Sequence, residues 1–436
     1  MNKVLVITYY WPPAGGAGVQ RWLKFVKYLR SFGWEPIVYT PENGELPDVD
    51  ESLLKDIPEG ITVIKRPIRE PYSVYKKFTG QKKEDRIRAA FLTEKKKTGM
   101  MEKISVWIRG NFFIPDARKF WIRPSVKFLT AYLKEHPVDI IVSTGPPHSM
   151  HRIGLKLKRK LNIPWVADLR DPWTGIDFYS DLMLSKSSDR KHRRMEKEVL
   201  SEANAVITIG KTMADDFNKI VARDYCVITN GFDEEDYQNE KPALSEKFSI
   251  THAGSLVKTR NPALLWKVLS SLLKENGHFK NDLEIHLIGK VDYSVMESIA
   301  AFGLEKYVRK TDYLPHSEVI TEQMRSQLLL LLINDTANSK GILTGKFFEY
   351  LASGRPVLAI GPEDGDIAAI LNETKAGKIC GFSNEEKLLD FVKTFYQDFQ
   401  NGKLSAESYG TEGYSRKRLT EKLTHVFSKA VEKNRN

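Results

Sequence analysis

Short apolar runs alternate with amphipathic helical patterns along this chain, and the whole series occurs twice. In the first half the apolar runs include Val4–Thr8, Ile140–Ser143 and Trp165–Ala167, with helical patterns between them. The series restarts at Phe248–Ala253 and continues to Val357–Ile360. Apolar strands that alternate with helices predict a parallel sheet covered on both faces. Two such series therefore predict an α/β protein with two parallel sheets.

The length of the chain also favours two domains. A single core stops growing at about 250–300 residues, and this chain has 436. We predict an N-terminal Rossmann-like domain over residues 1–240 and a C-terminal Rossmann-like domain over 246–410. A final helix within 411–436 must dock on one of them, and we expect it on the first. A single large doubly wound sheet is the alternative.

Composition limits the cell compartment and the relation to a membrane. Cys226 and Cys380 are the only cysteines, which is too few for a disulfide framework and favours a reducing cytosol. No apolar run approaches the ~20 residues that a membrane span needs. Met1–Lys3 leads directly into a strand-like run, which leaves no room for a signal-peptide core. We expect a cytoplasmic protein, with peripheral contact at the inner face of the membrane as a further possibility.

An insertion over about residues 70–125 is both basic and aromatic. The chain carries a formal charge of +11, and Lys76–Lys103 alone holds ten Lys or Arg against four Asp or Glu. Aromatic residues follow this stretch: Trp107, Phe112, Phe113, Phe120 and Trp121. Basic and aromatic residues together suit a membrane interface, so we predict an acceptor platform that contacts an anionic membrane. The alternative is a packed helical excursion with a solvated basic face. Nucleic-acid binding is not expected, because no known module pattern appears.

The segment Thr344–Ile360 is the most informative about chemistry. Thr344 and Gly345 suit the start of a helix, and Gly354 suits its end before a buried strand. Glu349 lies about one turn inside that helix. Free N–H groups at a helix start suit phosphates, and a carboxylate suits ribose hydroxyls, so the segment predicts a nucleotide diphosphate site. The alternative is an ordinary helix-to-strand joint with a surface Glu.

Polar residues also follow two apolar runs of the first predicted sheet. Asp168, Arg170 and Asp171 follow one run, and His148 follows another. In open α/β sheets the carboxyl ends of the strands face the ligand, and a carboxylate there can orient or deprotonate an acceptor hydroxyl. We predict these four residues as catalytic candidates; a structural Asp–Arg pair and a loop histidine are the alternatives. His148 and His151 lack a zinc spacing, so no metal is predicted.

A glycine-rich loop lies between the first predicted strand and the first predicted helix. It contains Gly15, Gly16 and Gly18, and the spacing is not G-x-G-x-x-G, so a nicotinamide cofactor is not predicted. In an open α/β sheet this loop brings backbone amides to a ligand phosphate or sugar. We predict that Gly15 and Gly16 allow that close approach.

Five segments in order resemble the family 4 glycosyltransferases of the GT-B type. They are Tyr10–Gly18, Asn230–Asp233, His252–Pro262, Leu287–Gly289 and the segment around Glu349. In addition, Asp168–Trp173 resembles a subgroup with an Asp-x-Arg-Asp-Pro-Trp sequence. The resemblance implies two Rossmann-like domains that face each other across a cleft. It also implies a nucleotide sugar bound mainly by the second domain and an acceptor bound by the first.

The resemblance assigns donor-binding residues in the second domain. Glu349 matches the second Glu of the family's E-x7-E pair and would hold the ribose. The diphosphate would meet a set of amides, hydroxyls and cations: Ser255, Arg260, Thr344, Gly345 and Lys346. In this site the chain departs from the family twice, because Gly341 replaces the first Glu of the pair and Ser255 replaces a frequent phosphate-binding Arg. A third departure lies in the first domain, where Asp168–Trp173 replaces a frequent His.

The implied activity is a retaining, metal-independent transfer of a hexose from a nucleotide sugar. The acceptor would be a glycan or a lipid-linked glycan in cell-surface polysaccharide synthesis, and no cofactor is expected beyond the nucleotide sugar as substrate. A nucleotide-sugar epimerase of the same shape is one alternative. A non-catalytic sugar-nucleotide-binding paralogue is another, and the departures at Gly341 and Ser255 favour it.

Overall fold

A computed structural model describes residues 1–46, 49–70, 100–238, 242–312, 314–406 and 408–435. The chain divides into two compact units. Unit 1 contains Met1–Thr229 and Arg416–Asn436, and unit 2 contains Asn230–Ser415. Within the described ranges each unit has a parallel sheet, of seven strands in unit 1 and six in unit 2. The predicted fold class, with two Rossmann-like parallel-sheet domains, is confirmed.

The sheet of unit 1 has the strand order β3-β2-β1-β4-β5-β6-β7. Its strands are β1 (Asn2–Ile7), β2 (Trp34–Pro41), β3 (Thr62–Arg66), β4 (Ile140–Gly145), β5 (Trp165–Leu169), β6 (Ala205–Thr208) and β7 (Cys226–Val227). Val4 in β1 pairs with Pro36 on one side and with Ile140 on the other. The direction of chain progression reverses between β1 and β4, and a crevice at such a point is where open α/β sheets bind ligands.

Helices cover both faces of this sheet because their apolar residues recur with helical spacing. They are α1 (Ala17–Leu29), α2 (Met100–Phe112), α3 (Lys119–Glu135), α4 (Ser149–Leu161), α5 (Lys186–Glu202) and α6 (Lys211–Ile220). In α1, Val19, Leu23, Val26 and Leu29 recur at helical spacing and are fully buried in the core of unit 1.

The sheet of unit 2 has the strand order β10-β9-β8-β11-β12-β13. Its strands are β8 (Phe248–Ala253), β9 (Leu283–Ile288), β10 (Val308–Thr311), β11 (Leu328–Leu332), β12 (Val357–Ile360) and β13 (Gly377–Cys380). Leu328 in β11 pairs with Ile250 in β8, and the chain progression reverses between these two strands. The edge strand β10 was not predicted, because exposed Arg309 and Lys310 interrupt any apolar run there.

In the described part of unit 2, seven α-helices accompany the sheet, and the last helix of the chain belongs to unit 1. The seven are α7 (Ala263–Glu275), α8 (Gly277–Asp282), α9 (Tyr293–Ala301), α10 (His316–Arg325), α11 (Gly345–Ala352), α12 (Asp366–Thr374) and α13 (Glu385–Gln400). The last is α14 (Arg416–Arg435). It buries Leu419, Leu423 and Phe427 in the core of unit 1, where Phe427 meets Trp34 at 5.2 Å between ring centroids.

Within the described ranges, no helix is both long enough and apolar enough to cross a bilayer.

Candidate functional site

In unit 2, helix α11 starts beside the reversal point between β8 and β11. The backbone N–H of Ala253, at the end of β8, donates a hydrogen bond to the hydroxyl of Tyr350 in α11 at 2.9 Å. Tyr350 is fully buried, and burial raises the pKa of its hydroxyl far above the usual value, so it stays protonated. This hydrogen bond fixes α11 against the carboxyl end of β8.

The N-terminus of α11 presents polar groups that the protein leaves unpaired. No side chain caps the helix at Thr344, and the Thr344 hydroxyl is buried with no hydrogen-bond partner among the described residues. The N–H groups of Gly345 and Lys346 have no backbone acceptor in the same ranges. Unpaired amides at a helix start, together with the helix dipole, attract anions. A hydroxyl and two amides therefore converge on one place suited to a phosphate.

Two cations lie next to this helix start. Neither Lys346 nor Arg260 forms an ion pair with a described residue, and each is largely buried. Burial, with the nearby charge of Arg260, lowers the pKa of Lys346 from 10.5 to about 8, although the charge of Glu349 counteracts this. Burial likewise lowers the pKa of Arg260. Positive charges held out of water without a contacting counter-ion are costly, and a bound anion would remove that cost.

The position of Lys346 depends on Gly254, which follows β8. Gly254 has φ +112°, a region that favours glycine. A Cβ at this position would lie 2.6 Å from the Nζ of Lys346. The absence of a side chain therefore leaves the space that the ammonium occupies. The neighbouring Ser255, predicted to contact phosphate, is exposed.

A buried histidine next to these cations, His252, was not predicted from the sequence as a site residue. His252 in β8 is 1% exposed, and its Nδ1 lies 3.0 Å from the carbonyl oxygen of Leu330 in β11, which requires a proton on Nδ1. Burial, reinforced by the charge of Lys346, lowers its pKa to about 3, so the ring is neutral. Its Nε2 has no partner among the described residues. Only the packing of β8 against β11 shows this, because a lone histidine in a strand carries no local signal.

The carboxylate of Glu349 is held from a neighbouring helix. Gln323 in α10 donates its side-chain N–H to Oε2 of Glu349 at 3.3 Å. Tyr237 donates its hydroxyl to the backbone carbonyl of Glu349 at 3.1 Å, and burial, with the nearby charge of Glu349, raises the pKa of Tyr237 well above its usual value. Glu349 remains partly exposed, so its carboxylate is open to ligand hydroxyls. Gly341 ends the short 3-10 helix Ser339–Gly341 and offers no side chain there.

In unit 1, the loop after β1 leads into α1 as the sequence predicted. Gly15 is buried, and the exposed Gly16 caps α1 with φ +91° and no side-chain hydrogen bond. Two residues later, a Cβ at Gly18 would lie 2.6 Å from Nη1 of Arg170. The glycines thus bring the start of α1 against the guanidinium of Arg170. By contrast, the start of α4 is occupied, because Asp116 accepts hydrogen bonds from the N–H and hydroxyl of Ser149 at 2.8 Å each.

Asp168, predicted as catalytic, lies at the end of β5 and is fully buried. Its carboxylate forms a 2.8 Å ion pair with Arg21 and accepts hydrogen bonds from Trp22 at 2.7 Å and from Thr144 at 2.8 Å. Burial alone would raise its pKa, but Arg21 and these donors hold it below the usual value. Both carboxylate oxygens of Asp168 accept hydrogen bonds from protein donors, so its charge is satisfied within unit 1. Arg21 was not among the residues predicted from the sequence, because a single Arg within a helix gives no local signal of a partner 147 residues away.

Arg170 and Asp171 follow Asp168 and are less enclosed. Arg170 donates to the carbonyl of Pro146, while its Nε is buried with no partner among the described residues. Burial lowers the pKa of Arg170, although Asp171 and Asp168 counteract this. Asp171 has no hydrogen-bond partner for its carboxylate within the described ranges, and burial raises its pKa despite the charge of Arg170. A carboxylate with a raised pKa and free oxygens suits proton transfer with an acceptor hydroxyl.

His148, also predicted as catalytic, stacks on Trp173 at 4.4 Å between ring centroids and 2° between ring planes. Burial, with repulsion from His151 and His192, holds its pKa well below 6.5, so the ring is neutral. Its Nδ1 is buried without a partner among the described residues. His151 instead packs within α4, with its Nδ1 2.9 Å from the hydroxyl of Ser143.

Helix α5 holds the loop that carries Asp171, a contribution that the sequence did not reveal. Trp173 donates its indole N–H to Nδ1 of His192 at 3.1 Å. Thr174 donates its backbone N–H to Glu196 at 3.2 Å and its hydroxyl to the same carboxylate at 2.5 Å. His192 and Glu196 lie four residues apart and are both buried, so one face of α5 fixes Trp173 and Thr174, which follow Asp171 closely in the chain.

The insertion predicted over residues 70–125 is described only in part. Residues 71–99, with most of the basic stretch, lie outside the described ranges. Helix α2 exposes four apolar side chains at helical spacing, Ile104, Trp107, Ile108 and Phe112, and Phe120 at the start of α3 is exposed as well. Trp121 is buried in unit 1 and stacks on Tyr39 at 4.8 Å. The aromatic residues of the insertion thus divide between the core and an apolar surface on α2.

No group of three or more His, Cys, Asp or Glu within the described part of the chain is arranged to hold a metal ion.

Comparison with known proteins places this architecture. Residues 86–236 match the family profile described as Glycosyltransferase Family 4. The structure of HepE from Anabaena in complex with UDP-glucose superposes with a TM-score of 0.62 at 13% identity, covering 98% of this chain and 100% of that one. No curated protein matches the sequence of the chain.

Two further solved structures have the same architecture. A mutant of TarM from S. aureus, in complex with fondaparinux, α-GlcNAc-glycerol and UDP, gives a TM-score of 0.60 at 12% identity, covering 98% of this chain and 100% of that chain. A putative UDP-N-acetylglucosamine 2-epimerase from Listeria monocytogenes gives 0.54 at 12% identity, covering 99% and 97%. At such identities the likeness shows the fold alone.

Proposed function

We propose that this chain is a family 4-like glycosyltransferase of the GT-B type and that it binds a nucleoside diphosphate sugar through the start of α11. The observation that carries the proposal is the set of unpaired groups there. The Thr344 hydroxyl and two backbone amides lie at one helix start with Lys346 and Arg260 nearby, one turn from the carboxylate of Glu349. Phosphates need the donors and cations, and ribose hydroxyls need the carboxylate.

We propose that the diphosphate leaves without help from a bound metal ion. Negative charge grows on the leaving group as the glycosidic bond breaks, and fixed positive groups must meet it. Lys346, Arg260 and the dipole of α11 would supply that charge. In the present chain Lys346 occupies the space beside Gly254. The next residue, Ser255, stands where the family frequently has an Arg. Lys346 would thus take over the part that an arginine at position 255 would play.

For the first unit, we propose that Asp171 meets the acceptor hydroxyl. Its carboxylate is free of partners among the described residues, and burial raises its pKa. Asp168 would act at a distance, because it fixes Arg21 and Trp22. His148 is neutral and would offer a hydrogen bond to a sugar rather than a charge. We propose transfer with retention of configuration to a glycan or lipid-linked glycan, on the basis of the family resemblance.

We also propose that the exposed apolar face of α2 meets an anionic membrane surface. Ile104, Trp107, Ile108 and Phe112 form that face, and exposed Lys103 and Arg109 lie on the same helix. Apolar and aromatic residues with flanking cations suit insertion into a headgroup region. Flotation with vesicles containing about a third anionic lipid tests this. Replacing Trp107 and Phe112 by Ser should reduce binding, and equal binding by neutral vesicles would contradict the role of charge.

A panel of nucleotides tests the donor site. UDP, GDP, ADP and TDP, with their common sugars, are added to the protein with and without EDTA, and the melting temperature is recorded. A ligand that binds only the native state raises this temperature. We expect a shift specific to one base that persists in EDTA and is reduced by Glu349→Ala. An unchanged shift for Glu349→Ala would contradict the assignment of Glu349, and no shift with any nucleotide would contradict the donor site.

The second candidate function is epimerisation of a nucleotide sugar. It is considered because the putative epimerase from Listeria monocytogenes has the same fold. An epimerase acts on the nucleotide sugar alone, whereas a transferase needs an acceptor. Incubation of the best-binding nucleotide sugar without acceptor separates the two. A new epimeric nucleotide sugar would establish the alternative, and recovery of the donor unchanged would favour transfer.

A further inference from the structure

Gln323 in α10 is a fully buried amide, and only one of its two polar side-chain atoms has a hydrogen-bond partner among the described residues. Its exposure is 0%, and its Nε2 donates to Oε2 of Glu349 at 3.3 Å. Its Oε1 is buried and has no partner among the described residues. A buried acceptor without a donor destabilises the folded state. The amide of Gln323 therefore destabilises the folded protein relative to an apolar side chain of similar size.

The hydrogen bond to Glu349 is too weak to offset the cost of burying the unpaired Oε1. Its length of 3.3 Å lies just beyond the usual range for N–H···O bonds, and Glu349 is partly exposed, so water can solvate the carboxylate without help. The neighbouring Gln327 shows what a stabilising buried Gln looks like. Its Nε2 donates to the carbonyl of Ser245 at 2.7 Å and its Oε1 accepts from Arg355 at 3.2 Å.

What Gln323 does accomplish is to fix one oxygen of a carboxylate that faces a candidate ligand site. A free Glu side chain on a helix surface samples several rotamers. With Oε2 held by α10 and the backbone carbonyl held by Tyr237, the other oxygen has no partner among the described residues. That oxygen is left with a set direction and free lone pairs.

We propose that Gln323 is a positioning residue that makes the nucleotide site selective for ribose over 2′-deoxyribose. The inference rests on the proposed function, in which Glu349 accepts hydrogen bonds from the ribose hydroxyls. A carboxylate with a fixed direction discriminates between a sugar that offers both hydroxyls and one that lacks the 2′-hydroxyl. A mobile carboxylate can turn to the remaining hydroxyl and discriminates less.

The test compares matched ligands in three proteins. The dissociation constants of UDP and dUDP, GDP and dGDP, ADP and dADP, and of inorganic pyrophosphate are measured by calorimetry. The proteins are wild type, Gln323→Met and the control Gln327→Met. We expect wild type to prefer the ribonucleotide of its base by about tenfold, the effect of a hydrogen bond to a charged group. In Gln323→Met this ratio should fall to about twofold or less, with pyrophosphate affinity unchanged and the melting temperature not lowered.

The control should behave in the opposite way. Gln327→Met removes bonds to Ser245 and Arg355, so it should lower the melting temperature and leave the ribose preference intact. The proposal is overturned if Gln323→Met keeps the wild-type ratio, or if both nucleotides and pyrophosphate weaken together. A wild-type preference for the deoxynucleotide overturns it as well. If wild type binds pyrophosphate but no nucleotide, the proposed function fails together with this inference, a pattern distinct from the preceding outcomes.

Discussion

The two units place charged residues at the same kind of position, and they treat them in opposite ways. At the end of β5 in unit 1, Asp168 is matched by Arg21, Trp22 and Thr144, so its charge is neutralised inside the protein. At the reversal point of unit 2, Lys346 and Arg260 form no ion pair with a described residue. The difference teaches that a charged residue at a strand end marks a ligand site only when the protein itself does not satisfy it.

The largest effect should come from breaking the satisfied cluster. Asp168→Asn leaves the guanidinium of Arg21 buried without its counter-ion, which typically costs about 3–5 kcal/mol of unfolding free energy. Urea denaturation at neutral pH measures this, with Asp215→Asn, in an exposed pair with Lys211, as the control. Full stability with lost turnover would instead make Asp168 a group that touches the substrate.

The Asp168 cluster should make the protein less stable at acidic pH. The pKa of Asp168 in the folded protein lies below its ordinary value. Its contribution to stability is therefore complete above the ordinary value of about 3.9 and is lost as the pH falls through the lower folded-state value.

The next largest effect should come from the free carboxylate of unit 1. Asp171→Asn removes a group that we expect to take a proton from the acceptor, and such groups contribute about 100-fold or more to turnover. Donor affinity should stay within about twofold, because the change is not in the nucleotide site. Single-turnover sugar transfer and nucleotide calorimetry on the same preparation separate the two. A parallel loss of both would place Asp171 outside the acceptor role.

A smaller effect, on binding alone, should come from the unsatisfied cluster of unit 2. Lys346→Met removes one charged donor to the phosphates, and nucleoside diphosphate affinity should fall about 10- to 100-fold. Since the charge forms no ion pair with a described residue in the unliganded protein, stability should be unchanged or higher. Lys258→Met, an exposed change in the neighbouring loop, is the control. A loss of stability without a loss of affinity would reverse the contrast between the units.

The mildest test varies only the proton on Lys346. Its pKa is about 8 in the folded protein, so nucleotide affinity should fall by up to about tenfold per pH unit above that value. The free energy of unfolding of the unliganded protein should rise between about pH 8 and 10.5, because in that range the unfolded chain binds more protons than the folded protein. Lys346→Arg keeps its charge and should flatten the affinity profile. An equally steep profile in that variant would assign the titration to another group.

Local patterns predicted the fold and the helix that starts after Thr344, because both depend on neighbours in sequence. Alternating apolar runs indicated both sheets, and the edge strand β10 was missed because exposed Arg309 and Lys310 interrupt it. The partners that decide the chemistry come from distant positions, as Gln323 does for Glu349 and Arg21 does for Asp168. Side chains that meet only through strand order and helix packing produce no regular spacing in the sequence from which their contact could be predicted. The sequence could therefore name candidate charges without telling which ones the fold would neutralise.

The return of α14 to unit 1 has a consequence for the order in which the protein is made. Unit 1 is interrupted in sequence by the whole of unit 2, and its last helix supplies Leu419, Leu423 and Phe427 to the core around Trp34. A ribosome therefore completes the polypeptide of unit 2 before that of unit 1. The core beside Trp34 stays uncovered throughout that interval, and only synthesis of the last helix delivers the segment that seals it.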